Sequence, residues 1–252
     1  MGTLTAPTRR WRRKHESRLS RVRPGAEHML WAPHRLSWWI AVLFSLGSLC
    51  FLAAPLPVYL NQVGPQSVAG TFFVGSLLFT AAATMQWLET VNTEYESHHA
   101  AGGSLRTFVW RPRRVDWWSS GVQLVGTLFF NITTFRGLTV AIDAPSYNHL
   151  VWQPDALGSL CFLVSGYLAY VEVSGRGLRR PAFTVEGAIV AVNLAGCVAF
   201  WASAVAGYVL PATGEPVNVA LTNTTTSIGA LCFLGGALLL LPEGVKQVDR
   251  HD

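Results

Sequence analysis

The sequence predicts an all-α polytopic membrane protein: six transmembrane helices arranged as three two-helix repeats, with both termini cytoplasmic. Three observations carry this prediction. Half of the residues are hydrophobic and only 13% are charged, about half the charged share of an ordinary soluble domain. No charged residue occurs between Leu36 and Leu88, so lipid must be the solvent for much of the chain. Finally, the phrase Gly-small-x-x-Phe recurs six times, beginning at Gly47, Gly75, Gly126, Gly158, Gly196 and Gly229, always in the middle of an apolar run.

Residues 1–34 form a basic tail. Arg9-Arg10 resembles the start of a twin-arginine export signal, but more basic residues follow where an apolar segment should begin. A retained cytoplasmic tail in contact with anionic lipid is the expectation. The transmembrane domain covers 35–245. Helix 1 is expected at 36–58 and helix 2 at 68–88, joined by the uncharged turn Asn61-Gln62-Val63-Gly64-Pro65. After a polar stretch, helix 3 is expected at 117–135. Helix 4 starts near Asp155 and ends before Glu172, helix 5 occupies 187–210 and helix 6 occupies 222–241. A short cytoplasmic tail, 246–252, closes the chain.

The basic residues orient these helices. Connections from an odd to an even helix contain one, Arg136, and the other eighteen lie in the termini and the even-to-odd connections. Such a bias places the arginine-rich side, and with it both termini, in the cytoplasm.

The helices group into units 35–89, 114–172 and 184–243. Fourteen residues after the second glycine of each unit stand Glu89, Glu172 and Glu243. Trp38-Trp39 and Trp117-Trp118 precede the first glycine of two units at one offset, as do Arg35 and Arg114; the third unit has Thr184 at the Arg position. Agreement at fixed offsets indicates an internal triplication.

At about 100° and 1.5 Å per residue, Gly, Phe and Glu share one helical stripe. Glycine lets neighbouring backbones approach closely, so the six glycines are expected to be helix-packing residues on a bundle-facing stripe. The first Trp of each pair, Trp38 and Trp117, is expected on the opposite, outward face at headgroup level. The three Glu fall about 21 Å from the glycine level, beyond a hydrocarbon half-thickness of about 15 Å. They share a cytoplasmic interfacial layer with Arg35 and Arg114. Either these are acids ion-paired with the arginines, or they form an acidic ring that draws cations to a cytoplasmic mouth.

Little else carries chemistry. Cys50, Cys161, Cys197 and Cys232 lie within the helices, where neither a disulfide framework nor a CxxC metal site fits. No His is expected inside a helix, which argues against a haem held by His. With helix 4 starting near Asp155, no ionisable group is expected at membrane depth, where transport pathways usually place one. Asn131 and Asn193 are expected to hydrogen-bond to neighbouring helices. Phosphate-loop, HExxH and GxSxG motifs are absent. No enzyme, cofactor or metal site is expected.

The doubled Gly-Ser-x-x-Phe signature resembles the YrhK-like family of bacterial membrane domains. Gly47-Ser48 with Phe51, Gly75-Ser76 with Phe79, and Gly158-Ser159 with Phe162 carry the resemblance. It implies tandem two-helix units in a bacterial inner membrane and brings no catalytic residue. The expected function is a structural or interaction role without chemistry. The alternative is a small-solute or ion transporter or channel through the bundle, with Glu89, Glu172 and Glu243 at its inner mouth. The expected partners are the bilayer, a second copy of the chain or another membrane protein; the concentration of charge before helix 1 argues against nucleic acid.

Overall fold

The computed structural model describes residues 31–33, 35–92, 106–142, 145–175 and 184–246, without the side chains of 242–246. The tail before Trp31, His98-His99, Arg176, Arg179, Arg180, the segment after Lys246 and the side chain of Glu243 lie outside the described residues.

The described chain is helical throughout. Its elements are α1 (Leu36–Ala53), α2 (Pro57–Val63), α3 (Pro65–Asn92), α4 (Val115–Gly137), a π turn (Asn148–Trp152), α5 (Gln153–Ser174), α6 (Val185–Ala206) and α7 (Val219–Lys246). No strand occurs among the described residues, and one bridge, Val209 to Pro216, closes the turn after α6. Five stretches are long and apolar enough to cross a membrane: α1, α3, Asn148–Ser174, α6 and Val219–Leu241. The chain is thus a multi-pass membrane protein. With 23 residues, α4 matches them in length. Asp116, Arg136 and a series of Ser, Thr, Gln and Asn side chains make it more polar.

Several boundaries differ from expectation: the second long helix extends to Pro65–Asn92, the fourth runs past Glu172 to Ser174, and the fifth stops at Ala206 and not at 210. Two further differences change the path of the chain. α1 ends at Ala53, before Pro55, and Pro57 opens the short helix α2. The expected turn at 61–65 is therefore mostly helix, and Gly64, with φ at 80°, breaks it from α3. That conformation suits glycine because it lacks a Cβ. The fourth long helix begins at Gln153, near Asp155 as expected, but a π turn precedes it and carries the helical stretch back to Asn148. The π turn runs into it, with the Gln153 N–H bonding to the Asn148 carbonyl, five residues back. Pro154 then stands in the first turn of α5. Proline cannot supply the usual i−4 hydrogen bond and crowds that carbonyl, and a widened turn relieves the conflict without stopping the helix. His149, expected outside any helix, lies in this π turn, its Nδ1 2.8 Å from Gln153 Oε1.

The long helices close into a ring. α1 packs on α3 and α7, and between them α3, α4, α5, α6 and α7 pack in succession. All six present the motif in the same way. The residue before each glycine and the second after it are exposed, whereas the glycine and the residue after it are buried. A helix in a ring has two neighbours, so its inward direction bisects the glycine and its successor, about 50° from the glycine itself. This corrects the expectation for the tryptophans. Trp117, expected to face outward, is 5% exposed, whereas the second Trp of each pair, Trp39 and Trp118, is 44% and 43% exposed. The two indoles lie about 50° to either side of outward. Trp117 is covered by Trp87 of α3 and by Phe108 and Trp110 of the segment before α4, and it donates to the Val109 carbonyl at 2.8 Å.

Candidate functional site at the bundle core

Within each helix pair the two glycines face one another, and each lies under the other helix's Phe. A Cβ at Gly47 would come 2.7 Å from the Phe79 ring and 3.1 Å from the Gly75 carbonyl; one at Gly75 would come 3.0 Å from the Phe51 ring. The second pair repeats this, with Gly126 2.7 Å from Phe162 and Gly158 3.4 Å from Phe130. So does the third, with Gly196 3.5 Å from Phe233 and Gly229 2.7 Å from Phe200. The cysteines three residues after the glycines take part: Cys50, Cys161 and Cys232 place their Cβ atoms against the facing Gly75, Gly126 and Gly196. They are free thiols acting as small packing residues.

The six phenyl rings meet on the bundle axis. Phe51, Phe130 and Phe200, from the first helix of each pair, form a triangle with centroid separations of 6.3, 6.1 and 5.9 Å. Phe79, Phe162 and Phe233, from the second helices, form another at 6.3, 5.8 and 6.0 Å. Three edges at 5.6, 5.0 and 5.4 Å join each ring to its pair-mate. The result is a prism of phenyls, mostly edge-to-face, the geometry the aromatic quadrupole favours. The space left between the rings is about 10 Å³, the lower limit for a single water, and its walls are apolar apart from Ser76. The Ser76 hydroxyl is engaged, donating to the Phe73 carbonyl and paired with Thr134 Oγ1. The axis is closed at this level.

Beside the prism lies a second set of inward positions. Three residues before each glycine, at about 60° on the wheel, stand Phe44, Phe72, Gln123, Asp155, Asn193 and Thr226. Phe44 meets Phe79 edge-on at 5.5 Å and Phe72 meets Phe51 edge-on at 5.4 Å, so this position reaches the prism, at one end from the first helix of a pair and at the other end from the second. In the first pair both members are Phe; in the other two pairs all four are polar. Asp155 is half-buried, one turn from Gly158 in the interior of the helical stretch Asn148–Ser174. The expectation of no ionisable group at such depth is therefore overturned: Pro154 and Asp155 read as a helix start, and the π turn moves that start toward Asn148. Nearby, Tyr147 has its phenol pushed above the ordinary value by burial and then by the Asp155 carboxylate.

The two asparagines behave differently. Asn131 donates to Thr80 Oγ1 on α3 at 2.8 Å, as expected of it. Asn193 lies against Gly236 of α7 and makes no side-chain hydrogen bond among the described residues.

At the arginine-rich end, Glu89 and Glu172 are half-buried near the ends of α3 and α5. Arg35 and Arg114 are the N-cap residues of α1 and α4. An acid that meets Arg114 is Asp116, which sequence reasoning overlooked: Nε donates to Oδ1 at 2.9 Å and Nη2 to Oδ2. Asp116 also accepts from the Trp117 N–H. Burial, then the neighbouring Arg114, pushes the Arg111 guanidinium down from its ordinary value.

A longer signature also escaped notice there: Trp-x-Pro-x-Arg-x-x-Trp-Trp, at 31–39 and 110–118. In both copies the last indole donates to the Pro carbonyl, Trp39 to Pro33 at 2.9 Å and Trp118 to Pro112 at 3.1 Å. The paired indoles cross at 4.9 Å in both. Comparing the Trp-Trp pairs upstream as far as the prolines would have revealed it.

No protein-family model matches the chain, and no match is found to a curated protein or to a solved structure.

Proposed function

We propose that the protein is a non-enzymatic integral membrane protein with a structural or interaction role, built from six spans with α4 as the sixth. In this reading it is a triplicated two-helix unit in a bacterial inner membrane, with both termini cytoplasmic. The charge bias along the chain supports the orientation, the six equivalent motif copies support the triplication, and the Gly-Ser-x-x-Phe signature supports kinship with YrhK-like domains. The observation that carries the structural role is the closed phenyl prism, whose central space is about 10 Å³. A bundle whose axis is packed shut presents its outer face to the membrane. That face is apolar, with Leu46, Leu49, Leu77, Leu128 and Leu160 all more than 40% exposed. It is suited to lipid, to a second copy or to another membrane protein, while the basic tail engages anionic lipid.

A charged thiol reagent, applied from both sides of the membrane, tests this reading. Cys50, Cys161, Cys197 and Cys232 are expected to stay unmodified until the protein is denatured. Modification of two or more in the folded protein would mean that water reaches the interior.

One observation favours a second reading, a small-solute or ion pathway: the carboxylate of Asp155 inside a candidate span. Glu89, Glu172 and Glu243 would then form the acidic ring at the inner mouth. In proteoliposomes, Glu89→Gln with Glu172→Gln should lower cation flux, and unchanged flux would set the ring aside.

A further inference from the structure

Residues 106–114 form a strap across the ends of α3 and α4 at the arginine-rich end of the bundle. The strap is neither helix nor strand, yet side chains of both helices hold its backbone. Asn92 bonds the N–H and the carbonyl of Arg106, at 3.0 and 2.9 Å. Trp87 donates to the Thr107 carbonyl, Trp117 to that of Val109 and Trp118 to that of Pro112. A segment so firmly tied still leaves large apolar side chains outside. Phe108 and Trp110 are 60% and 63% exposed, beside Trp118 at 43%. Counted from the glycine level at mid-span, Trp118 stands at about 12 Å, Trp87 at about 18 Å and Asn92 at about 25 Å. The strap therefore lies at headgroup depth, around and beyond a hydrocarbon half-thickness of about 15 Å. Amphipathic aromatic rings prefer that depth.

The two copies of the tryptophan signature isolate what this strap adds. Both have the same Trp, Pro, Arg and Trp-Trp, and both close with the indole-to-proline bond. Between these shared residues the first copy has Ala32 and His34, and the second has Arg111 and Arg113. That bond does not need the two arginines, since the first copy makes it without them. Arg113 is exposed and has no hydrogen bond or ion pair among the described residues. Arg111 is half-buried beside Arg114, so an anion next to it would offset like-charge repulsion. From Arg106 to Trp118 four arginines stand against one acid, Asp116, which Arg114 holds.

We propose that the strap is a docking site for one anionic phospholipid of the adjacent leaflet. Arg111 and Arg113 meet its phosphate, and Phe108, Trp110 and Trp118 lie against its glycerol and upper acyl chain. The rings select a lipid over a soluble phosphate, which would use the arginines alone. The depth selects a lipid over an acidic protein segment, because lipid is the neighbour already present beside Trp118. The site rests on the chain being a membrane protein and not on either functional role proposed above.

Photo-crosslinking of the full chain in phosphatidylcholine nanodiscs tests the site. The probe is phosphatidylglycerol carrying a diazirine near the head of one acyl chain, and peptide mass locates the adducts. Adducts are expected on 106–118, and phosphatidylcholine carrying the same diazirine should label that segment far less. Each basic residue near the surface is worth about fivefold in affinity, so Arg111→Ala with Arg113→His should weaken probe binding about 25-fold at pH 8, where His is neutral. These are the residues of the first copy, so the turn should survive, and an unchanged unfolding midpoint checks that it does. Equal labelling of 106–118 by the two lipids would overturn the proposal without any variant. Undiminished labelling in the folded double variant would overturn it as well. Displacement of the probe by an equal concentration of soluble glycerol phosphate would make the occupant a free anion, and an absence of lipid adducts on 106–118 would leave the face to a protein; either result contradicts the lipid site.

Discussion

The first helix pair and the other two share one scaffold but fill it differently. All three bring facing glycines under facing phenyls. Beside this constant part, the first pair adds Phe44 and Phe72, whereas the others add Gln123, Asp155, Asn193 and Thr226. The difference separates two jobs. The glycines and motif phenylalanines close the ring, and packing alone explains them. The position three residues earlier is free to vary without opening the ring, and there the molecule departs from packing.

Exchanging residues between the two kinds of pair sharpens this contrast. Phe72→Asp gives the first pair the acid of the second; it removes a ring that meets Phe51 edge-on at 5.4 Å and introduces a carboxylate. A loss of about 3–5 kcal/mol in denaturant unfolding in micelles is expected from the lost ring alone. The constant part should respond alike in every pair. Gly229→Val places new carbon 2.7 Å from the Phe200 ring and should cost about 1–3 kcal/mol by overpacking. Gly70→Ala, with no atom within 4 Å, should be neutral or gain up to about 1 kcal/mol from helix propensity. Smallest is the reverse exchange. Asp155→Leu should raise stability by about 1 kcal/mol, since it removes an unpaired polar group. A fall in stability there would mean that the carboxylate has a structural partner.

The sequence made the scaffold legible because its signals are local. Apolar runs, basic connections and a repeated glycine gave the long helices and their common face. What it concealed depends on geometry beyond one helix. Asp155 read as a helix start because Pro154 usually marks one, and the π turn that carries the helix past that proline has no 3.6-residue signature. Trp117 read as outward because the wheel of its own helix does not show Trp87, Phe108 and Trp110, which cover it. The Asp116 partner of Arg114 was missed because counting from the glycines drew attention to the distant Glu residues instead.

The central claim is that six motif phenylalanines, far apart in sequence, meet on one axis. A double-mutant cycle on Phe51→Ala and Phe200→Ala tests it most directly, because these rings belong to the first and third pairs and stand 5.9 Å apart across the bundle. The prism predicts a coupling of about 0.5–1.5 kcal/mol between the two substitutions. Strict additivity would contradict it, since rings that do not meet lose nothing together.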